Sequence, residues 1–187
     1  MVSADEAAAL YKSLSPRGLQ VWVTGGWGID ALLGEQTRPH KDLDLIVLLD
    51  DVVQMCQTLN RAGFNLKELW SENHPDSDMH GVETATAFVL HNTDGREVDI
   101  HAVRLDHRGV GVPAWEADEG FVFTRDDLAG MGIIAGFPVR CISPQKQILC
   151  HTGYVLPGTQ LRDLDLLGKK FNLTFPVEDG SPPAPAA

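Results

Sequence analysis

The sequence predicts an α/β fold in which a small, mixed and twisted β-sheet is flanked by helices. The first observation behind this prediction is that apolar runs of strand length alternate with helical stretches between residues 5 and 63, with glycines at their ends. The second is the run "DLDLIVLL", which is almost continuously apolar after its aspartates and is typical of an inner strand covered on both faces.

The first half of the chain reads as helix, strand, helix, strand, helix. An alanine-rich helix over residues 5–14 ends at "SPRG", and "QVWVTGG" alternates as a strand does. The stretch "WGIDALLG" is a short helix whose last residue, Gly34, suits a left-handed C-cap. After the strand "DLDLIVLL", Asp50 or Asp51 can cap a helix that runs to Gly63.

The second half begins with a hairpin. In "TATAFVLHNTDGREVDIHAV" two strand-like runs flank Asp94 and Gly95, a strong turn signal. The segment "FPVRCI" predicts one more strand, and Ser143 with Pro144 suits the start of a helix over "QKQILCHTGYVL". A last amphipathic helix follows, in which three leucines spaced three residues apart share one face: Leu161, Leu164 and Leu167.

Three parts follow from these elements. We expect a core over residues 1–105, a compact and mainly helical part over 106–175 packed on it, and a disordered, proline-rich tail over 176–187.

Composition excludes several classes of protein. A net charge of -11 argues against a nucleic-acid surface, which needs a basic stripe, and suits a cation or a metal-bridged ligand instead. No apolar run approaches the roughly 20 residues that span a bilayer, and the start lacks a signal-peptide pattern, so we expect a cytoplasmic protein. Three widely spaced cysteines indicate neither a disulfide framework nor a zinc site. Oligomeric state is not indicated.

Two aspartates lie on one face of the predicted inner strand. Asp42 and Asp44 point the same way because side chains alternate along a strand, while Leu43 and Leu45 point into the core. Such a pair of like charges is costly unless a divalent cation neutralises it, and oxygen ligands suit Mg²⁺. The strand "EVDIH" supplies a third carboxylate, Asp99, if it lies beside the first strand.

A glycine pair precedes these carboxylates. Gly25 and Gly26 lie at a strand end just before a helix, where backbone N–H groups and the helix dipole can hold phosphate. Each signal alone has an ordinary explanation, since tight turns use glycine for steric reasons and a DxD pair is common at solvated strand ends. Together they indicate phosphoryl-transfer chemistry.

The segment "GGWGIDALLGEQTRPHKDLDL" resembles the signature of small antibiotic nucleotidyltransferases, the lincosamide and aminoglycoside 2''-nucleotidyltransferase relatives within the polymerase-β-like superfamily. The general motif is matched by Gly25, Gly26, Asp42 and Asp44. The narrower family pattern adds Trp27, Asp30, Gly34, Thr37, Arg38 and His40. The segments "EVDIHAV", "GFPVRCIS" and "LCHTGY" are similar to later parts of the family, so the likeness spans roughly residues 20–165.

This resemblance implies a polymerase-β-like nucleotidyltransferase fold. It also implies transfer of a nucleoside monophosphate from an NTP to a hydroxyl of a small molecule, with ATP as the expected donor and AMP as the group transferred. Pyrophosphate would be released, and positioning with charge neutralisation would supply most of the catalysis. By resemblance, Asp42 and Asp44 bind Mg²⁺. Asp99 either shares a metal or acts as general base on the acceptor hydroxyl, and we favour the base slightly.

The resemblance also suggests nucleotide-binding residues. Gly25 and Gly26 would approach the triphosphate through their backbone, and Arg38 and His40 would contact its oxygens. A loop salt bridge is the alternative for both side chains. Asp30 in the first helical turn is interpreted as structural.

Other family residues have structural interpretations. Trp27 is interpreted as a packing anchor and His101 as a satisfied, partly buried histidine.

The sequence identifies the acceptor less well than the reaction. We expect the C-terminal part to line the acceptor-binding site. A polycationic aminoglycoside would suit acidic residues, namely Glu83, Glu97, Glu116, Asp118 and Glu119. A lincosamide would use aromatic contacts, namely Trp70, Trp115, Phe121 and Tyr154. A metabolite or a protein as acceptor stays open, as does a non-catalytic nucleotide-binding relative, although the three retained carboxylates disfavour the last.

Overall fold

The computed structural model describes residues 1–151 and 156–174. The helices are α1 (Ala4–Leu14), α2 (Gly25–Leu33), α3 (Leu49–Arg61), α4 (Pro144–Leu149) and α5 (Gly158–Phe171). The strands are β1 (Val21–Thr24), β2 (Asp42–Leu48), β3 (Asn65–Leu69), β4 (Asp76–Ser77), β5 (Glu83–Thr84), β6 (Ala87–His91), β7 (Glu97–Leu105), β8 (Gly111–Pro113), β9 (Gly130–Ile134) and β10 (Phe137–Cys141). The tail predicted over 176–187 and Tyr154 lie outside the described residues.

A mixed sheet organises the fold, as the sequence predicts. Its order is β3-β6-β7-β2-β1-β10-β9, with β8 paired to β7, while β4 and β5 form a separate two-stranded sheet. The pairs β2–β7 and β1–β10 are parallel, and the other pairs are antiparallel. Residues 106–175 contribute β8, β9 and β10 to this sheet as well as the helices α4 and α5. Among the described helices, none combines the length and apolar character that a membrane crossing requires.

The central strand β2 has one face in the core and one face toward the site. Leu43 and Leu45 are buried in the main hydrophobic cluster, which they share with Met55 and Leu59 of α3. The aspartates alternate with these leucines and are only partly buried. The predicted orientation of the DxD pair is therefore confirmed.

The predicted cap of α3 and the predicted end of α4 are wrong. The residue that caps α3 is Leu48, not Asp50 or Asp51, because the Asp51 carboxylate instead accepts the backbone N–H of Gln20 at 2.7 Å. The helix predicted over "QKQILCHTGYVL" ends at Leu149, although Ser143 caps its start as expected and accepts the backbone N–H of Lys146.

The sequence prediction missed three strands of the main sheet, namely β3, β8 and β9. The strand β9 pairs with β10 through a turn at Ala135 and Gly136, whose φ angles are 48° and 75°. Both residues are in the left-handed region, as a two-residue hairpin turn requires, yet alanine rarely adopts it. The edge strand β3 is exposed along its whole length and therefore shows no hydrophobic alternation.

Candidate active site

The parallel pairing of β2 with β7 brings the predicted acidic residues together. Asp44 lies opposite Asp99, and Asp42 lies opposite Glu97. Asp42, Asp44 and Asp99 border one open cavity of about 770 Å³, called here the active-site cavity. The adjacency that the sequence left conditional is therefore present.

The environment of Asp42 and Asp44 opposes their ionisation. Desolvation raises the pKa of Asp44 well above its ordinary value, and the charges of Asp42 and Asp99 raise it further, while Arg38 lowers it. Desolvation also raises the pKa of Asp42, Lys41 opposes this, and Asp99 adds to it. Each carboxylate therefore favours a neutralising cation, whether a proton or a metal ion.

The glycine turn packs directly against the site. Gly25 and Gly26 are the first two residues of α2, which begins two residues earlier than the predicted start at Trp27. Gly25 has a φ of 59°, and a Cβ there would lie 2.1 Å from Oδ2 of Asp44. A Cβ on Gly26 would lie 2.3 Å from Nδ1 of His40. Only glycine therefore allows the N-terminus of α2 to approach the carboxylates so closely.

His40 is buried and has a carboxylate partner. Its Nε2 lies 2.5 Å from Oδ2 of Asp30, and its ring packs against Trp27 with the ring centroids 4.6 Å apart. Asp30 also accepts hydrogen bonds from the backbone N–H of Thr37 at 3.1 Å and from the Thr37 hydroxyl at 2.6 Å. Trp27 is 1% exposed, as a packing anchor should be, and Asp30 is structural through these bonds, although it lies in the second turn of α2 and not in the predicted first turn. His40 borders the active-site cavity.

Arg38 also borders the cavity, but its guanidinium group is ion-paired. Its Nε and Nη2 both lie 2.8 Å from Oδ2 of Asp163, whose side chain is 3% exposed. Asp163 belongs to α5, so the ion pair joins the loop before β2 to the last helix. This is a long-range salt bridge rather than the loop salt bridge that the sequence suggested.

Asp99 is oriented by residues whose role the sequence did not indicate. The indole N–H of Trp70 donates to Oδ1 of Asp99 at 2.9 Å. The imidazole of His101 lies between two carboxylates, with Nδ1 3.4 Å from Oδ1 of Asp99 and Nε2 3.4 Å from Oε1 of Glu72. Burial lowers the pKa of His101, but its bonds to Asp99 and Glu72 outweigh burial, so the net shift is upward. The sequence analysis placed Trp70 among the aromatic contacts for a lincosamide, but Trp70 does not border the cavity and instead bonds Asp99.

Within residues 1–151 and 156–174, no three His, Cys, Asp or Glu side chains form a group that could hold a metal ion. Asp99 is engaged by Trp70 and His101 instead. The remaining pair still fits a hard divalent cation, because Asp42 and Asp44 offer oxygen donors from one strand face and repel each other without one.

The cavity lining also includes aromatic and acidic side chains that the sequence analysis named as acceptor contacts. Trp115, Phe121, Glu116 and Asp118 border it, but the other predicted acidic residues, Glu83, Glu97 and Glu119, do not. Glu97 is instead held by Lys41 and Lys67 at 2.8 Å each. These two lysines lower the pKa of Glu97. Its predicted role as an acceptor contact is therefore not supported by its position.

Comparison with known proteins agrees with this geometry. The sequence profile of the aminoglycoside-2''-adenylyltransferase family matches residues 7–167. The chain is 27% identical over 143 residues to a lincosamide resistance protein of Staphylococcus haemolyticus, covering 76% of this chain and 80% of that protein. It is 33% identical over 133 residues to a 2''-aminoglycoside nucleotidyltransferase of Escherichia coli, covering 68% of this chain and 60% of that protein.

Solved structures show the same fold. The lincomycin-bound lincosamide antibiotic adenylyltransferase LnuA superposes with a TM-score of 0.70 at 24% identity, covering 89% of this chain and 96% of that one. ANT(2'')-Ia in complex with adenylyl-2''-tobramycin gives a TM-score of 0.66 at 23% identity, covering 87% of this chain and 85% of that one. The expected polymerase-β-like nucleotidyltransferase fold is thus confirmed. On the profile match, the chain belongs to the aminoglycoside-2''-adenylyltransferase family and is a nucleotidyltransferase.

Proposed function

We propose that this protein transfers AMP from ATP to a hydroxyl of a small-molecule antibiotic and releases pyrophosphate. The observation that carries the proposal is the register of β2 and β7, which puts Asp44 opposite Asp99 beside the glycine turn. Phosphoryl transfer needs a charge-neutralising group, a phosphate cradle and a base within one cavity. The active-site cavity has candidates for all three.

Asp42 and Asp44 are the residues that would hold Mg²⁺. When bound, this ion would neutralise charge on the triphosphate and on the two carboxylates. The raised pKa of both groups supports this role, because a site built for a cation leaves its carboxylates poorly stabilised without one.

The glycine turn is the proposed phosphate cradle. The backbone N–H groups at Gly25 and Gly26 begin α2, whose N-terminal dipole favours negative charge. We propose that Arg38, held in place by Asp163, contributes charge at the same side of the cavity. His40, oriented by Asp30 with Nδ1 near Gly26, completes the proposed nucleotide-binding set.

Asp99 is the proposed general base, and a share in binding the metal is the alternative role. Its carboxylate would take the proton of the acceptor hydroxyl, whose oxygen then forms a bond to the α-phosphorus of ATP as the bond to the β-phosphate oxygen breaks. Pyrophosphate carries away the bonding electron pair. Trp70 donates its N–H to Oδ1 and so holds the carboxylate in one orientation, which limits the reorganisation that proton transfer requires.

A lincosamide is the acceptor class we favour. The rim offers Trp115 and Phe121 for apolar contacts, and only Glu116 and Asp118 of the predicted acidic residues border the cavity. These two acids also leave an aminoglycoside as the second candidate, since they can pair with its ammonium groups.

The test is a mass-spectrometric panel. Purified protein is incubated with Mg²⁺, each of the four NTPs, and either lincomycin or tobramycin. We expect one antibiotic to gain an adenylyl group when ATP is present. Turnover of other hydroxyl compounds alone would contradict the antibiotic assignment and retain the reaction, whereas transfer to no acceptor would contradict the reaction itself.

A further inference from the structure

A buried lysine lies behind the aromatic side of the active-site cavity. Lys146 belongs to α4 and is only 3% exposed. Its ammonium donates to the backbone carbonyl of Val122 at 2.6 Å. It also lies 3.7 Å from the ring centroid of Phe121 and 4.7 Å from that of Phe123. Burying a lysine is costly unless its charge has partners, and here one carbonyl and two aromatic faces supply them.

The contacts of Lys146 connect to the proposed reaction centre through a row of rings. The rings of Phe121 and Phe123 meet edge to face with centroids 5.3 Å apart. Phe123 meets Trp115 at 6.2 Å, and Trp115 meets His101 at 4.9 Å. Because His101 lies beside Asp99, this row leads from Lys146 to the proposed base.

The segment that carries these rings has little regular structure of its own. All of residues 114–126 are described, and they include no helix and no strand beyond an isolated bridge at Phe123. Its backbone is held by this bridge to Gly111 and by a hydrogen bond from Glu116 N–H to the Glu72 carbonyl at 2.9 Å. Such a segment depends on side-chain anchors for a defined position.

We propose that Lys146 is a positioning residue for the acceptor: it fixes residues 121–123, and with them the aromatic wall formed by Trp115, Phe121 and Phe123 against which the acceptor binds. The proposal rests on the proposed function, because only an acceptor in the active-site cavity would contact this wall. It assigns Lys146 no contact with the nucleotide, since the ammonium bonds the Val122 carbonyl and faces the rings of Phe121 and Phe123.

Nearby groups offset only part of the cost of burying the Lys146 ammonium. Burial lowers the pKa of its ammonium, while Cys150 and Asp127 act in the opposite direction. Asp127 itself accepts hydrogen bonds from Thr124 N–H at 2.8 Å and from the Ser143 hydroxyl at 3.2 Å, and so joins the same segment to the start of α4. Asp127 and Lys146 therefore both hold this segment against α4, and Lys146 is the one that contacts the rings.

Kinetics of two variants distinguish a positioning role from a purely structural one. Lys146→Met removes the charge and keeps an unbranched side chain, and Lys146→Arg keeps a cation that can donate to Val122 and stack on Phe121. Lys169→Met is the matched control, since Lys169 is exposed and pairs only with Asp165 among its described ion-pair partners. KM for lincomycin and tobramycin, KM for ATP, kcat and Tm are measured for each variant.

We expect Lys146→Met to raise the acceptor KM by about tenfold, with the KM for ATP within about twofold of the wild type. Lys146→Arg should recover most of the acceptor KM, and Lys169→Met should match the wild type. An unchanged acceptor KM, or an equal rise in both KM values, would overturn the proposal. If Lys146→Met does not fold, Lys146→Gln takes its place with the same criteria.

Hydrogen exchange separates this proposal from the proposed function. Amide exchange in residues 116–124 should be faster in Lys146→Met than in the wild type, without any substrate present. If the wild type modifies neither antibiotic, the proposed function fails, and exchange alone then decides the role of Lys146. Unchanged exchange would overturn it, and faster exchange confined to this segment would support the anchoring step.

Discussion

Asp44 on β2 lies directly opposite Asp99 on β7 in a parallel strand pair, with Asp42 two residues away on the same face. The fold therefore holds like charges together at the side of a cavity, where the charges of Asp42 and Asp99 raise the cost of ionising Asp44. Proteins keep such an arrangement where a ligand or a metal ion supplies the missing positive charge.

Asp44→Asn should stabilise the metal-free protein at neutral pH while abolishing transfer. The pKa of Asp44 is raised in the folded state, so the folded protein binds more protons than the unfolded chain as pH rises above the ordinary aspartate range. The free energy of unfolding of the wild type therefore falls as pH rises from the ordinary aspartate pKa to the raised pKa of Asp44. The Asp44→Asn variant does not lose this stability, because asparagine does not ionise. At pH 8 we expect a rise in Tm on the order of a few °C, and a smaller rise at pH 4.

Thermal unfolding with and without Mg²⁺ checks this prediction. The ion should raise the Tm of the wild type and not that of Asp44→Asn, so that the two values approach each other. Asp165→Asn, at an exposed site, is the control. A variant less stable than the wild type at pH 8 in the absence of metal would count against the account of the site.

Gly26→Ala tests the close approach of α2 to the loop before β2. Its Cβ would lie 2.3 Å from Nδ1 of His40, which is buried against Asp30 and has little room to move. We expect a loss of about 1–3 kcal/mol in the free energy of unfolding and a higher KM for ATP. Gly158→Ala, at the start of α5 with nothing within 4 Å of its Cβ, is the control. Equal effects of the two substitutions in denaturant titrations would contradict the prediction.

The core of the site was predictable because it depends on local sequence. The period of two along a strand puts Asp42 and Asp44 on one face, and the turn signal at Asp94 and Gly95 predicts the hairpin that carries Asp99. Both features follow from neighbouring residues alone, and the structure agrees with both.

The surroundings of the site were not predictable, because they depend on distant parts of the chain. The partners of Arg38 and Asp99 are Asp163 and Trp70, which are 125 and 29 residues away in sequence. No local pattern indicates such pairs. The buried position of Lys146 was missed for the same reason, since lysine in a short helix normally indicates a solvated face.

Asp163→Asn should destabilise the protein by removing the charge that Arg38 needs. The two side chains meet through two donors, and Asp163 is almost fully buried, so we expect a loss of about 1–3 kcal/mol in the free energy of unfolding. Asp165→Asn on the same helix breaks only an exposed pair with Lys169 and should cost less than about 0.5 kcal/mol. Urea titrations of the two variants check the difference. Similar losses in the free energy of unfolding would show that the Arg38–Asp163 ion pair contributes no more to stability than an exposed pair.

The acidic rim should discriminate between acceptors by their charge. Glu116→Gln and Asp118→Asn remove charges that border the cavity, so they should raise the KM for tobramycin about three- to tenfold and that for lincomycin by less. Glu119→Gln, just outside the cavity lining, is the control. Added salt should weaken tobramycin binding to the wild type more than to either rim variant. Equal changes in KM for both antibiotics would show that the rim carboxylates do not discriminate between acceptors by charge.

The most direct test of the account is acceptor-dependent pyrophosphate release by Asp99→Asn compared with the wild type, in the presence of ATP, Mg²⁺ and the antibiotic that the wild type modifies. Asparagine keeps the size of the side chain and an oxygen that can accept the Trp70 N–H, but it cannot take a proton. The account predicts that kcat falls by roughly 10²–10⁴-fold while the Tm is maintained. Release within about tenfold of the wild-type rate would contradict the role of Asp99 as general base.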